Sequence, residues 1–374
     1  MAAVELRALL ARTRELGGSD LHLSAGSPPQ VRVDGVLRAV TSAPLTPERT
    51  AALCFSILTP AQRASFEATW ELDLAVGFDA TGRFRCNVFR QKGSVAGVYR
   101  AIPDRIASID ELALPPVLKA LADRPRGLVL VTGPTGSGKS TTLAALVDRI
   151  NETRAAHILT IEDPIEFVHQ SRQSIVSQRE LHTDTLSLPA ALRAALREDP
   201  DVVLVGELRD CDTMAAALEL AETGHLTLAT LHTNSAIQTI SRLVDAFAGG
   251  QQSQVRTQLS LVLEGVASQV LLPRIGGGRV AALEALVATP AVRTLIRDDK
   301  LHQIYGVMQA GQAAHGMQTM NQALAQLVDR RVVRRDDAWR ASDRPDELAT
   351  LVRDGDARRA GLAVGAGARA GVFR

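Results

Sequence analysis

From Gly127 onward, short continuous apolar runs alternate with segments of helical periodicity. The runs are LVLVT (128–132), HILTI (157–161), DVVLVG (201–206) and LTLATL (226–231). Apolar runs of this length, without polar alternation, are typical of strands that are buried on both faces, and the helical segments between them are typical of crossover connections. We therefore predict a parallel β-sheet that is covered by helices.

The N-terminal part of the chain has a different pattern. VRVDGVLRAV (31–40) alternates apolar and polar residues around Asp34-Gly35, a dipeptide that suits a tight hairpin. RFRCNVFRQKG followed by VAGVYRAI predicts a second pair of strands. Residues 4–16 have the leucine spacing of an amphipathic helix, a pattern found in helices on membrane surfaces and more often in helices that pack on their own domain. The pattern indicates a separate α/β domain of ordinary size.

Proline-rich and low-complexity segments mark the boundaries between these regions. Prolines that cannot join a helix interior or a strand ladder punctuate the stretch between the two patterns, and the last residues are rich in Ala, Gly and Arg. We predict an N-terminal α/β domain (1–101), a linker (102–126), a parallel-sheet core (127–290), a helical C-terminal subdomain (291–345) and a disordered tail (346–374).

The charge balance excludes some classes of protein. Lys and Arg total 42 against 41 Asp and Glu, and aromatic residues make up 3% of the chain. A motor that tracks single-stranded nucleic acid needs a basic groove with stacking aromatic side chains, so we expect no nucleic-acid partner. The three cysteines form no CxxC pair, and no apolar run reaches the roughly 18 residues that span a bilayer. We expect a cytoplasmic protein.

The segment GPTGSGKS (133–140) has the spacing G-x-x-x-x-G-K-[ST] and lies between a predicted strand and a predicted helix. Glycines let the backbone N–H groups approach a phosphate, Lys139 neutralises the β and γ phosphates, and the Ser140 hydroxyl can bind magnesium. We predict ATP and Mg²⁺ as cofactors. The predicted nucleotide-binding residues are Gly133, Pro134, Thr135, Gly136, Ser137, Gly138, Lys139, Ser140 and Thr141.

Hydrolysis also requires acidic groups, and the ends of the predicted strands supply them. Glu207 follows one apolar run, and the next cluster contains Glu162 and Glu166, between which the spacing does not choose. His225 and His232 lie at the two ends of the LTLATL strand. Ligands of open parallel sheets bind at the carboxyl ends of the strands, so we expect several of these groups to converge on one crevice.

These blocks, in this order, resemble the type II/IV secretion ATPase superfamily, in which they are named Walker A, Asp box, Walker B and His box. The similarity is closest to its type IV pilus retraction (PilT-type) branch, through blocks that span roughly residues 18 to 328. The similar blocks are SDLHLSAGSPPQVRVDG, RFRCNVFRQ, QRELHTDTLSLPAALRAALREDPDVVLVGELRD, AVRTLIRDDK and GMQTMNQAL.

The resemblance implies a fold and a set of roles. It implies a PAS-like N-terminal domain, a RecA-like P-loop ATPase domain with a helical C-terminal subdomain, and a hexameric ring. Glu166 would be the water-activating carboxylate and Glu207 the Walker B acid near the metal, and His225 and His232 would occupy the His-box positions. Arginines of a neighbouring domain would contact the γ phosphate; the candidates are Arg85 and Arg100, followed by Arg83 and Arg90.

The function that the resemblance implies is an ATP-hydrolysing, Mg²⁺-dependent motor that powers pilus retraction and twitching motility. Its expected partners are five further copies of the chain, an inner-membrane pilus platform protein and a paralogous pilus ATPase, and its expected location is the membrane periphery at the pilus base. Three alternatives stay open: an accessory retraction paralogue, a RecA-like nucleic-acid motor, and an interaction protein that binds nucleotide without hydrolysing it.

Overall fold

The computed structural model describes residues 2–33, 35–78, 81–103 and 105–353, with the side chains from residue 5 onward. The chain forms two compact units. The first contains Met1–Ile106 together with the short segment Pro164–Val168, and the second contains Ala107–Asp163 and His169–Arg374. In the described part of the chain, no helix is both long and apolar enough to cross a membrane.

The first unit is built on a six-stranded antiparallel sheet with the strand order β3-β2-β1-β6-β5-β4. Both predicted hairpins are confirmed: β2 pairs with β3, and β5 pairs with β6. The elements are α1 (Ala2–Glu15), β1 (Asp20–Leu23), β2 (Gln30–Val33), β3 (Val36–Ala39), α2 (Pro47–Phe55), α3 (Pro60–Thr69), β4 (Glu71–Phe78), β5 (Gly82–Gln91) and β6 (Ser94–Ala101).

Helix α1 packs against the core of this first unit. Leu6 and Leu10 on the helix are fully buried, as are Phe84 and Tyr99 on the sheet. Burial of such side chains contributes roughly 1.5–3 kcal/mol each, which is enough to hold an amphipathic helix on its own domain. The prediction that the N-terminal helix packs on its own domain is therefore confirmed.

The second unit is built on a seven-stranded sheet with the strand order β13-β12-β7-β11-β10-β8-β9. The four predicted parallel strands are confirmed; they are β7, β8, β10 and β11, and they lie side by side. The elements are α4 (Val117–Ala122), β7 (Gly127–Thr132), α5 (Lys139–Thr153), β8 (His157–Glu162), β9 (Ile175–Glu180), α6 (Leu188–Ala195), β10 (Val202–Val205), α7 (Cys211–Glu222), β11 (Leu226–Leu231), α8 (Ala236–Asp245), α9 (Gln252–Val262), β12 (Leu263–Pro273) and β13 (Arg279–Val287).

Three strands of this sheet were not predicted. β9 is a partly exposed edge strand, and β12 and β13 form an antiparallel pair that continues the sheet beyond β7. β12 begins at Leu263, directly after α9 ends at Val262, so no turn residues separate the helix from the strand. Without turn residues between them, the sequence pattern does not show where the helix ends and the strand begins.

Helices follow β13, as predicted. They are α10 (Pro290–Arg297), a short 3-10 helix (Leu301–Gln303), α11 (Ile304–Ala310), α12 (Gln312–His315), α13 (Met320–Asp329) and α14 (Arg335–Ala341). Residues 345–353 are also helical, and Leu348 and Val352 are buried in the same cluster as Leu324. This packing corrects the start of the predicted disordered tail, and the rest of that tail lies outside the described residues.

Candidate nucleotide site

The phosphate loop follows β7 and leads directly into α5. Gly133 has φ +140°, and a Cβ there would lie 2.2 Å from the carbonyl oxygen of Gln269. Gly138 has φ +89° and occupies the N-cap position of α5, where no side chain caps the helix. These two positions require glycine, and the first N–H groups of the helix are left for an anion.

Lys139 is nearly buried, and its amine is held by the loop. Its Nζ donates to the carbonyl oxygen of Gly133 at 2.9 Å and to that of Pro134 at 3.1 Å. The same atom lies 3.4 Å from Nδ1 of His232, which follows β11. The lysine of the phosphate loop and the histidine of a neighbouring strand end are thus in contact.

The contact continues from His232 to Glu207 and on to the end of β8. His232 Nε2 lies 3.1 Å from Oε1 of Glu207, and an Arg209 nitrogen lies 3.0 Å from Oε2 of Glu207. A second Arg209 nitrogen lies 3.6 Å from Asp163. The carboxyl ends of β7, β11, β10 and β8 therefore contribute to one continuous polar cluster, as the topology of a parallel sheet predicts.

The electrostatics of this cluster keep Glu207 ionised. Partial burial alone would raise the pKa of Glu207, but the guanidinium of Arg209 and the imidazole of His232 outweigh that effect and lower the pKa below its usual value. An ionised carboxylate at this position is suited to hold a cation or to accept a hydrogen bond from water.

The two acidic residues that the sequence left as alternatives lie in different units. Oε1 of Glu162 accepts hydrogen bonds from Thr160 Oγ1 at 2.6 Å and from Gln178 Nε2 at 3.2 Å. Glu166 belongs to the segment that clusters with the first unit, where its carboxylate pairs with Arg85 at 3.3 Å. Glu162 is thus engaged in the sheet, whereas Glu166 accompanies the arginine-bearing strands.

The candidate arginines all lie in the first unit, on β5 and β6. Arg85 and Arg100 are directly opposite each other in the strand register. Each has an acidic partner, since Arg85 pairs with Asp73 at 2.6 Å and Arg100 pairs with Asp20 at 2.9 Å. Paired acids hold both guanidinium groups along one face of the sheet.

The other two candidate arginines have different surroundings. The guanidinium of Arg90 lies over the ring of Trp70, 5.4 Å from its centroid. The carbonyl oxygen of Arg83 accepts a hydrogen bond from Arg14 at 3.2 Å.

The structure does not bring His225 into the cluster, and the His-box role that the resemblance implies for it stays a prediction. His225 precedes β11, whereas His232 follows it, and a strand of six residues separates them. At about 3.3 Å per residue this is a separation of roughly 20 Å. The His225 Nδ1 lies 3.0 Å from the carbonyl oxygen of Leu220, so this side chain supports the end of α7.

The donor set at the sheet edge fits a magnesium ion. Hydroxyl and carboxylate oxygens are the ligands that Mg²⁺ prefers, and it is usually held by one or two carboxylates together with substrate phosphates. Ser140 and Glu207 supply one oxygen donor of each kind. Among the described residues, no group of three or more His, Cys, Asp or Glu side chains is arranged around a metal.

Several residues of the site were missed by the sequence analysis. Arg209 is part of the GELRD segment, but its pairing with Asp163 depends on the neighbouring strand. Ser268 and Gln269 on β12 contact the phosphate loop and the strand before it. The sequence signal for Ser268 and Gln269 was only that two polar residues interrupt an apolar segment. Many surface strands have the same pattern, so it does not indicate a binding site.

Fold and site together define a phosphate-loop protein of the parallel-sheet class. The profile of the family described as Type II/IV secretion system protein matches residues 107–356, and the chain belongs to that family.

Curated relatives extend the similarity to nearly the whole chain. The type IV pilus retraction ATPase PilT of Pseudomonas aeruginosa is 49% identical over 345 residues, which is 92% of this chain and 100% of that protein. The type IV pilus ATPase PilU of the same organism is 41% identical and covers 94% of this chain and 92% of its own. The chain is thus a PilT-type member of the secretion ATPases.

A solved structure has the same fold. The crystal structure of the pilus retraction motor PilT with bound ADP superimposes with a TM-score of 0.85 at 50% identity, and it covers 92% of this chain and 98% of that one.

Proposed function

We propose that this chain is a Mg²⁺-dependent ATPase that powers retraction of type IV pili as a hexameric motor. The observation that carries the proposal is the continuous contact from Lys139 through His232 to Glu207 at one edge of a parallel sheet. A phosphate, a metal and an attacking water can be served from that edge. The similarity to PilT over nearly the whole chain supports the cellular role.

Nucleotide binding would change the contacts of Lys139. Its amine now donates to two carbonyl oxygens of its own loop, and a phosphate oxygen is a stronger, charge-assisted acceptor. The loop N–H groups and the uncapped start of α5 complete the anion site. His232 would report the exchange to Glu207, because it contacts both side chains.

The metal and the water have separate proposed partners. Ser140 and Glu207 would hold Mg²⁺ against the phosphates, and the ion would supply charge stabilisation in the transition state. Glu166 would orient the attacking water. Arg85 of a neighbouring subunit would stabilise the γ phosphate, followed in priority by Arg100, Arg83 and Arg90, while His225 would act between subunits.

The family likeness supports a proposal for the assembly and its partners. We propose a hexameric ring of chains with a PAS-like first unit and a RecA-like second unit. Its partners would be an inner-membrane pilus platform protein and a paralogous pilus ATPase, at the cytoplasmic base of the pilus. An accessory retraction paralogue is the second candidate, and the identity of 41% to PilU shows that the chain is similar to more than one type IV pilus ATPase.

Lysine substitution tests the enzymatic part of the proposal. Lys139→Ala should abolish ATP hydrolysis by the purified protein and twitching in cells. Lys119→Ala is the matched control, because Lys119 is bound to Asp110 on the surface of the same unit, and it should leave both unchanged. Normal turnover or normal motility in the Lys139→Ala strain would refute the assignment.

Deletion of the gene tests the direction of the motor. A retraction motor predicts abundant surface pili without motility, whereas an assembly motor predicts cells without pili. Full motility after deletion, with a second retraction ATPase present, would favour the accessory role instead.

A further inference from the structure

The side chain of Gln269 occupies a buried position behind the phosphate loop. It lies on β12, which runs parallel to β7, and it is only 1% exposed. Ser268 and Gln269 are consecutive, so their side chains point to opposite faces of the sheet. Ser268 faces Thr132, the last residue of β7, whereas Gln269 faces the loop and the start of α5.

The amide of Gln269 joins two parts of the phosphate site. Its Nε2 donates to the carbonyl oxygen of Ser137 at 2.5 Å, and its Oε1 accepts from the hydroxyl of Thr142 at 2.8 Å. A carbonyl can only accept, which fixes the orientation of the amide. One side chain thereby links the apex of the loop to the first turn of the helix.

Gln269 also packs closely against two glycines of the loop, through its backbone carbonyl and through its side-chain amide. The Gln269 carbonyl oxygen lies where a side chain at Gly133 would begin, and its Nε2 is 3.1 Å from a Cβ built on Gly138. The loop is therefore packed against Gln269 at its beginning and at its end. Both contacts lie within the second unit and involve buried atoms.

We propose that Gln269 is a positioning residue for the nucleotide phosphates. By holding Ser137 and Thr142 at a fixed separation, it keeps the loop N–H groups directed at the anion before nucleotide binds. Without this link, nucleotide has to order the loop as it binds, and affinity is lost. The inference rests on the proposed nucleotide binding at this loop and adds a residue that the loop motif does not contain.

A purely structural role would have a different signature. Removal of the amide leaves the Ser137 carbonyl and the Thr142 hydroxyl without these hydrogen bonds, and a purely structural role would therefore lower only the stability of the nucleotide-free protein. Affinity for ADP measured without Mg²⁺ isolates the loop, because it involves neither hydrolysis nor the metal. The thermal midpoint of the nucleotide-free protein reports stability separately.

The test uses the full-length protein and titration calorimetry with ADP. Gln269→Met keeps the length of the side chain and removes both hydrogen bonds, and we expect the dissociation constant to rise about tenfold, which corresponds to about 1.4 kcal/mol. Thr142→Val removes one of the two hydrogen bonds and should raise the dissociation constant by less. Thr142→Ser keeps the hydroxyl and should have the affinity of the wild type. The double variant Gln269→Met/Thr142→Val should lose less binding free energy than the sum of the losses in the two single variants.

Thr227→Val is the matched control. Thr227 is buried on β11, and within the described chain its hydroxyl has no hydrogen-bond partner, so its replacement should leave ADP affinity unchanged. Wild-type affinity in both Gln269→Met and Thr142→Val would overturn the inference. If Gln269→Met does not fold, the pair Thr142→Val and Thr142→Ser decides the question alone.

Failure of the inference and failure of the proposed function can be told apart. If the wild-type protein binds no ADP, the proposed function fails. If the wild type binds ADP and Lys139→Ala does not, while the Gln269 and Thr142 variants bind normally, only the role of Gln269 is wrong.

Discussion

The mainly parallel sheet of the second unit and the antiparallel sheet of the first unit present their charged groups in different ways. In the parallel sheet, all four predicted strands end at one edge, and the polar residues after them meet there. In the antiparallel sheet, Arg85 and Arg100 lie within strands and are held by Asp73 and Asp20. The parallel strands bring polar groups together at one edge, where a ligand can bind. The antiparallel strands hold two arginines, each paired with an aspartate, on one face of the sheet.

The two sheets differ in whether their candidate site residues are already in contact with one another. Lys139 and Glu207 each contact His232 within a single chain, so these three side chains are brought together without a second copy. The arginines are engaged by carboxylates and would have to exchange these partners for a phosphate. The predictions below test whether the two regions serve one reaction.

Outside the phosphate loop, the largest effect should come from the antiparallel sheet. Arg85→Ala should lower the turnover of ATP by about a thousandfold, as expected for an arginine that stabilises transferring phosphoryl charge. Affinity for ADP should change less than about twofold, because ADP lacks the γ phosphate. Steady-state turnover and calorimetry measure the two quantities.

The matched control for Arg85 is Arg63→Ala, since Arg63 forms an exposed ion pair with Glu67 in the same unit. It should behave as wild type. Normal turnover in Arg85→Ala would separate the first unit from the reaction, and a large loss in Arg100→Ala alone would move the role to the opposite strand.

Glu207→Gln should have the second largest effect. The amide keeps the shape but loses the charge, and we expect turnover to fall about a hundredfold, the order found when one transition-state interaction is removed. ADP affinity without Mg²⁺ should be preserved. If turnover stays normal, Glu207 is not the acid that supports the metal.

The two ends of β11 should respond differently. His232→Gln should lower turnover about tenfold, because it removes the imidazole that contacts both Lys139 and Glu207. His225→Gln should leave the ADP affinity of the isolated chain unchanged, since His225 contacts Leu220 at the far end of the strand. A loss of ADP affinity in His225→Gln, or wild-type turnover in His232→Gln, would contradict this distinction.

The last expected effect is on stability rather than turnover, and it concerns His169, where the chain returns to the second unit after segment 164–168. Desolvation by burial lowers the pKa of His169 to about 4. A lowered pKa gives stability that is present above the ordinary pKa of 6.5 and lost as the pH falls towards about 4. From about pH 7 to about pH 5 the loss should approach about 2 kcal/mol.

The two tryptophans allow this loss to be assigned to one unit. Trp70 lies in the first unit and Trp339 in the second, and the chain contains 2 tryptophans. Thermal unfolding followed in single-tryptophan variants should show the acid shift for Trp339, and His169→Gln should reduce it. A shift confined to Trp70 would show that another group is responsible.

The sequence predicted the parallel part of the fold because buried strands and loop residues follow local rules. The runs before Gly133, Glu207 and His232 each ended in polar residues, and topology alone brings such ends together. That Lys139 and Glu207 share an edge is confirmed by their common contact with His232.

The rest depended on contacts between residues far apart in the sequence. The pairing of Arg85 with Asp73 is set by the register of β4 and β5, and the contact of Gln269 with Ser137 by the placement of β12 beside β7. A single glutamine in an apolar strand has no local signal of its role. Its hydrogen-bond partners become visible only in the folded chain.

An experimental structure of the protein with an ATP analogue and Mg²⁺ would test the central claim most directly. The account predicts that the phosphates lie against the loop from Gly133 to Ser140, with Lys139 released from its loop carbonyls and Glu207 beside the metal. A nucleotide bound elsewhere, or a metal out of reach of Glu207 while Lys139 keeps its present contacts, would contradict it.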